Sequence, residues 1–190
     1  VYVAGDGNTV TAGSFIQGLV DDGVNLAGNN NIVKAASSVY GGSDGAVVVG
    51  DDNTVSAGGY IEGNTGDGVN IDGNDNEVSA GLYIKGGDGG GVLITGDDNN
   101  VNAGNVAGVS IVGVDGHGVG ITGNSNDVVA TGGNIEGNDD DLGEGDGVSI
   151  LGNDNSVSTV GVGTSINGDD DGVEIVGDLN DIVTGDIVGD

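Results

Sequence analysis

Short runs in which apolar and polar residues alternate, broken by glycine and Asn/Asp corners, recur along the whole chain. The stretch Gly68 to Gly86, GVNIDGNDNEVSAGLYIKG, shows the unit. Val69-Asn70-Ile71, Val78-Ser79-Ala80 and Tyr83-Ile84-Lys85 each alternate with a period of two, which predicts three short strands with one buried face apiece. One such unit has nothing to bury that face against. The chain supplies seven more copies of it.

Aligned on the Gly-Asx-x-Asn corner, the copies begin at Val1, Gly23, Gly45, Gly68, Gly91, Gly118, Gly147 and Gly172. The spacing is 22 or 23 residues in the first half, then 27, 29 and 25 where loops are added. A period of this size marks a repeat architecture. The first strand carries the inward pairs Val1/Val3, Val24/Leu26, Ala46/Val48, Val69/Ile71, Val92/Ile94, Val119/Ile121, Val148/Ile150 and Val173/Ile175. The second pairs a branched aliphatic (Val10, Val33, Val55, Val78, Val101, Val128, Val157, Ile182) with a small residue such as Ala12, Ala80 or Thr159. The third contributes Ile16, Val39, Ile61, Ile84, Ile111, Ile135, Ile166 and Ile187.

These rows predict an all-β fold: a single-stranded, three-sided parallel β-solenoid of eight coils of 22–29 residues, one domain over residues 1–190. At the usual strand spacing, eight coils make a rod about 38 Å long. Some five small or branched inward residues per coil fit a narrow interior. Corner glycines are expected to supply the left-handed backbone angles where the chain changes face.

Every corner ends in asparagine: Asn8, Asn31, Asn53, Asn76, Asn99, Asn126, Asn155 and Asn180. A buried amide without partners costs about 1–3 kcal/mol. Identical amides one coil apart satisfy one another, so an internal asparagine ladder is expected, of the kind found in cross-β assemblies. A structural role is favoured here over a ligand-binding one.

Composition sharpens this picture. Glycine supplies 44 residues; proline, cysteine, methionine and tryptophan are absent, and aromatic residues make up 3% of the chain. Heavy glycine is a mark of disorder, but regularly placed Val and Ile argue for order. The net charge of −29 comes from 26 Asp and 5 Glu against Lys34 and Lys85. With no arginine and two lysines, binding to nucleic acid or an anionic membrane is excluded as a reading, because phosphate contacts need cations. No apolar run is long enough to span a bilayer. Without cysteine there is no disulfide and no guide to redox compartment. The chain lacks an initiator methionine and a leader, and reads as a processed or excised piece.

The pattern D-G-V-x-I-x-G-N-D-N-x-V-S-A-G of Asp67–Gly81 resembles the right-handed parallel β-helix repeat of the pectate-lyase-like superfamily. The resemblance covers the whole chain. It implies a right-handed winding and leaves function open among polysaccharide lyases and hydrolases, phage tailspikes, adhesins and surface proteins.

Gly116-His117-Gly118 holds the sole histidine and resembles the Gly-His-Gly element of polygalacturonases; Asn64-Thr65-Gly66-Asp67 faintly resembles their Asn-Thr-Asp. The coil between offers Gly87-Asp88-Gly89-Gly90 where paired aspartates are required, and the basic Arg-x-Lys element has no counterpart. Inverting glycosidases hold two carboxylates about 6.5–9.5 Å apart, and Asp67, Asp88 and Asp115 are candidates with His117. Solvated loop aspartates are the plainer reading, so the chain is read as a non-enzyme. Lyase chemistry lacks its second basic residue. Gly118-x-Gly120-x-x-Gly123 matches a dinucleotide fingerprint as a string only, since no helix follows.

The residue before each coil-opening glycine is Asp22, Asp44, Asp67, Gly90, His117, Asp146 or Asp171. Stacked carboxylates about 5 Å apart repel by roughly 1 kcal/mol in water and more at lower dielectric. Calcium, which takes 6–8 oxygen ligands, is therefore a candidate, held by Asp22, Asp44, Asp67, Asp146 and Asp171 together with Asp139 and Asp141 of the acidic insertion NDDDLGEGD. The alternative is a solvated or halophilic acidic edge. Outward Thr9/Thr11, Thr54/Ser56, Ser79 and Ser156/Ser158 resemble an ice-binding ladder, but Ile32/Lys34, Glu77 and Asp127/Val129 interrupt it. Phe15, Tyr60 and Tyr83 share one outward position, with Tyr40 displaced by two; stiffening of that face is favoured over contact with sugar or a neighbouring rod.

Neither end shows a capping helix or plug, and open solenoid ends are templates for association. The leading expectation is an extracellular or cell-surface structural protein, a filament, sheath or adhesin shaft built by head-to-tail contact with itself. A carbohydrate-active or carbohydrate-binding β-helix, with cell-surface polysaccharide as partner, is the alternative, and an ice-binding solenoid the minor one.

Overall fold

The computed structural model describes residues 1–104, 108–138 and 145–189. Three strands per coil line up into three parallel sheets of eight strands, each strand pairing with its equivalents one coil before and after. In the fourth coil these strands are Val69–Asp72, Glu77–Ala80 and Ile84–Gly86. There is no helix among the described residues. The architecture is the three-sided β-solenoid that the spacing predicts.

Register follows the inward rows without slippage through most of the rod. Val69 pairs with Ala46 and Val92, Val78 with Val55 and Val101, and Ile84 with Ile61 and Ile111. A one-residue slip would turn each apolar set outward, so burial on one face fixes the pairing. One irregularity follows the fifth coil's added residues, where the register shifts between Val109 and Ile111.

The interior is a single column. Val69, Ile71, Val78, Ala80 and Ile84 of the fourth coil are all buried, and their equivalents repeat from the second coil to the seventh. Each buried Val or Ile is worth about 1.5–3 kcal/mol. Thr159 replaces alanine in one row. Its buried hydroxyl is satisfied by Thr164 Oγ1 at 3.0 Å and Thr184 Oγ1 at 2.7 Å. In the eighth coil the rows are open: Ile175 is 40% and Ile187 54% exposed, because no further coil lies over them among the described residues.

The corner glycines Gly28, Gly50, Gly73, Gly96, Gly123, Gly152 and Gly177 hold positive φ, as expected, and a second left-handed residue stands just before the ladder asparagine: Asn30, Asp52, Asp75, Asp98, Ser125, Asp154 and Leu179, all at φ 55–59°. Asn and Asp tolerate that region because their short polar side chains bond locally. Glycine also serves close approach. A Cβ on Gly68 would sit 2.6 Å from the Gly91 carbonyl oxygen and 2.7 Å from the Ile84 side chain.

Candidate functional site

Side-chain chemistry is concentrated where the chain turns, and stacking converts each polar corner position into a ladder. In the asparagine ladder, the backbone N–H of each asparagine donates to Oδ1 of the asparagine one coil later, as from Asn76 to Asn99 at 3.0 Å and from Asn99 to Asn126 at 2.9 Å. The same side chain's Nδ2 reaches back to a glycine carbonyl: Asn99 to Gly73 and Asn126 to Gly96, both at 2.8 Å. It also donates forward, from Asn99 to Asn126 Oδ1 at 3.0 Å. The predicted amide-to-amide contact is present, but the amide oxygen also caps a backbone donor that the corner would leave buried. Asn31 is the weak rung, since its buried Nδ2 has no partner.

A second ladder went unread in the sequence. Two residues earlier stand Asp6, Asn29, Asp51, Asn74, Asp97, Asn124, Asn153 and Asp178. Here the later coil's N–H donates to the earlier coil's Oδ1, as from Asn74 to Asp51 at 2.8 Å and from Asp97 to Asn74 at 2.9 Å. The two ladders therefore run in opposite senses on one corner. Asp and Asn alternate over the first six rungs, which keeps carboxylates two coils apart. An invariant Asx at this place was the available signal.

The third ladder contains the candidate calcium ligands. Asp44 N–H donates to Asp22 Oδ1 at 3.3 Å, Asp67 N–H to Asp44 Oδ1 at 2.7 Å, Gly90 N–H to Asp67 Oδ1 at 2.8 Å and Asp171 N–H to Asp146 Oδ1 at 3.2 Å. Asn25 and Asn70 donate to the second oxygens of Asp22 and Asp67. Aspartate at these corners thus has a structural use as an acceptor for the next coil. Asp139 and Asp141 lie outside the described residues. Among the described residues, no group of three or more His, Cys, Asp or Glu side chains is placed to hold a metal ion.

Burial raises the carboxyl of Asp44 above its ordinary value of 3.8; the Asp67 N–H bond opposes this, while the charges of Asp67 and Asp22 add to it. Burial also raises Asp67, against the bonds from Gly90 and Asn70.

His117 occupies a rung of the same ladder. Its Nδ1 accepts the Asp146 N–H at 3.2 Å and lies 3.5 Å from the buried Asp146 carboxylate. An imidazole that accepts at Nδ1 carries its proton on Nε2. Below it the ladder lacks a side chain at Gly90, and alongside it the first sheet has Gly120 where the preceding coil has Leu93. These two gaps leave an open cavity of about 220 Å³ with Asp67, Asp115, His117 and Leu93 on its walls. Three of the four candidate catalytic residues thus share one cavity. Asp88 is exposed and not part of that lining. Asp67 already commits both oxygens to hydrogen bonds.

The outward positions of the second sheet are mixed as predicted: Thr54 lies between Ile32 and Glu77, and Lys34 lies between Thr11 and Ser56. No known protein family, curated protein or solved structure matches this chain.

Proposed function

We propose that the chain is a non-enzymatic structural shaft, an extracellular or cell-surface β-solenoid that extends by end-to-end coil stacking as a filament, sheath or adhesin stalk. On this reading it is a non-catalytic, right-handed relative of the pectate-lyase-like β-helices. One observation carries the reading: the coil surface is self-complementary. The asparagine ladder begins on the Asn8 Oδ1 acceptor and finishes on the Asn180 N–H donor, the two halves of one further link. The inward rows of the eighth coil are open at Ile175 and Ile187. A ninth coil, from this chain or from another copy, would meet both. Such a contact is heterologous and translational, so it propagates without closing.

Charge opposes the contact. At −29 per chain, copies repel unless cations collect, with calcium one candidate counter-ion. Electron microscopy and light scattering at low salt, at high salt and with calcium test the reading. Fibres that lengthen as screening rises support it, and discrete particles under every condition overturn it. Reversal by EDTA distinguishes calcium from general screening.

A carbohydrate-binding or carbohydrate-active reading is favoured by the cavity that gathers Asp67, Asp115 and His117. Its test is sugar release or retention on a panel of acidic and neutral polysaccharides, compared with His117→Ala. No difference between the two proteins removes it.

A further inference from the structure

The third sheet carries an aromatic stack with one rung missing. Phe15, Ser38, Tyr60 and Tyr83 occupy equivalent positions in successive coils, with Ser38 buried: Ile16 N–H bonds the Ser38 carbonyl, Val39 N–H that of Tyr60 and Ile61 N–H that of Tyr83. Tyr60 and Tyr83 stack, with centroids 5.1 Å apart and planes within 9°. Tyr83 is further held by donating to Glu62 at 3.0 Å. Where the next ring would lie, Ser38 turns its hydroxyl to the Tyr60 N–H at 3.2 Å and leaves a gap. The gap is a cavity of about 350 Å³ with Phe15 and Tyr60 as end walls, Ser38 as floor, and Tyr40 and Gln17 alongside. Phe15, 61% exposed, keeps one wall open to solvent.

We propose that this slot binds a quaternary or fully methylated ammonium group. Phe15 and Tyr60 belong to coils two apart, about 9.5 Å at the usual strand spacing. A group centred between them is about 4.8 Å from each ring, inside the roughly 6 Å over which a cation is drawn to an aromatic face. Tyr40 offers a third ring. The charge of the molecule decides the ligand class. A flat neutral ring would also stack in the slot, but the −29 field favours only a cation and repels anions. Neither lysine fills it: Lys85 is paired with Glu62 at 3.8 Å, and Lys34 lies on the second sheet. The proposal does not depend on the filament reading.

Tyrosine fluorescence and the proton spectrum of the ligand methyls test it, with choline and trimethyl-lysine amide as probes and 3,3-dimethylbutan-1-ol as the uncharged isostere of choline. Choline is expected to bind saturably with its methyl signal moved upfield, and the isostere about tenfold more weakly. Tighter binding of trimethyl-lysine amide would mark a protein side chain as the source of the group, and tighter binding of choline a small molecule. Ser38→Tyr, which supplies the missing ring, should abolish binding, with some loss of melting temperature because the Tyr60 N–H loses its acceptor. Phe15→Ala removes an exposed wall without touching the interior and should weaken binding about tenfold. Unchanged binding in Phe15→Ala would mean simple counter-ion condensation, and equal binding of the isostere would remove the role of charge. Either result, or the absence of saturable choline binding, overturns the proposal.

Discussion

At the scale of single residues, the corners show one side chain serving several backbones at once. Asn99→Ala would leave the buried Asn76 N–H and Gly73 carbonyl without partners, each worth about 1–3 kcal/mol. It should destabilise by about 2–4 kcal/mol, while Asn100→Ala, at the exposed neighbouring position, should stay within about 0.5 kcal/mol. Asn31→Ala should cost less than Asn99→Ala, because the Asn31 Nδ2 has no bond to lose. Chemical denaturation of the three variants checks this order. Asp44 behaves differently, because burial raises its carboxyl above 3.8. A group raised in the folded state contributes stability that is complete below its unfolded value and lost as pH rises through the folded one. The protein should therefore melt higher as pH falls from 7 toward 4. Asp44→Asn keeps an oxygen for the Asp67 N–H and should raise the pH 7 melting temperature, with the gain shrinking toward pH 4.

At the scale of the strand and the corner, narrowness and backbone handedness set the limits. Ile71 is fully buried between Val48 and Ile94 of adjacent coils. Ile71→Phe should overpack this column and destabilise by about 1–3 kcal/mol, read as a lower melting temperature. The corner of the eighth coil carries a strain that the others avoid. Leu179 holds φ 59° with 83% of its surface exposed, and a left-handed residue with a branched side chain costs about 1–2 kcal/mol. Leu179→Asn supplies an Asx residue, as Asn30, Asp52, Asp75, Asp98 and Asp154 do at the equivalent place, and should gain about 0.5–1 kcal/mol. Stronger protection of the eighth coil in hydrogen exchange would register that gain.

At the scale of the whole molecule, two forces of different range compete. The stacked coils are held by short contacts between neighbours, so stability is a sum of like increments along the rod. The charge of −29 acts over the Debye length, about 30 Å at 0.01 M salt and 3 Å at 1 M. Raising sodium chloride from about 10 mM to 1 M should therefore raise the melting temperature steadily, because screening removes repulsion and leaves the hydrogen bonds. A melting temperature indifferent to salt would show that the acidic corners are already neutralised by bound ions.

The amino-acid sequence by itself determined the winding. Apolar residues at period two, repeated every 22–29 residues, admit one way of burying a face, and the inward rows, the three sheets and the asparagine ladder follow from it. Tertiary structure decided what the corners do. Of the aspartates that look like metal ligands along the chain, Asp22, Asp44, Asp67 and Asp146 accept a bond from the next coil, because stacking presents each of these four with a backbone N–H. The positive backbone angles at the corners are shared between glycines such as Gly73 and the residues Asn30, Asp75 and their equivalents, while glycines such as Gly68 serve where coils touch. His117 and Asp67 came to share a cavity only through the side chains missing at Gly90 and Gly120, just as the gap at Ser38 became a slot only once Phe15 and Tyr60 were stacked on either side. Gaps of that kind depend on which residues lie one coil above and below, and that neighbourhood exists only after the chain has wound.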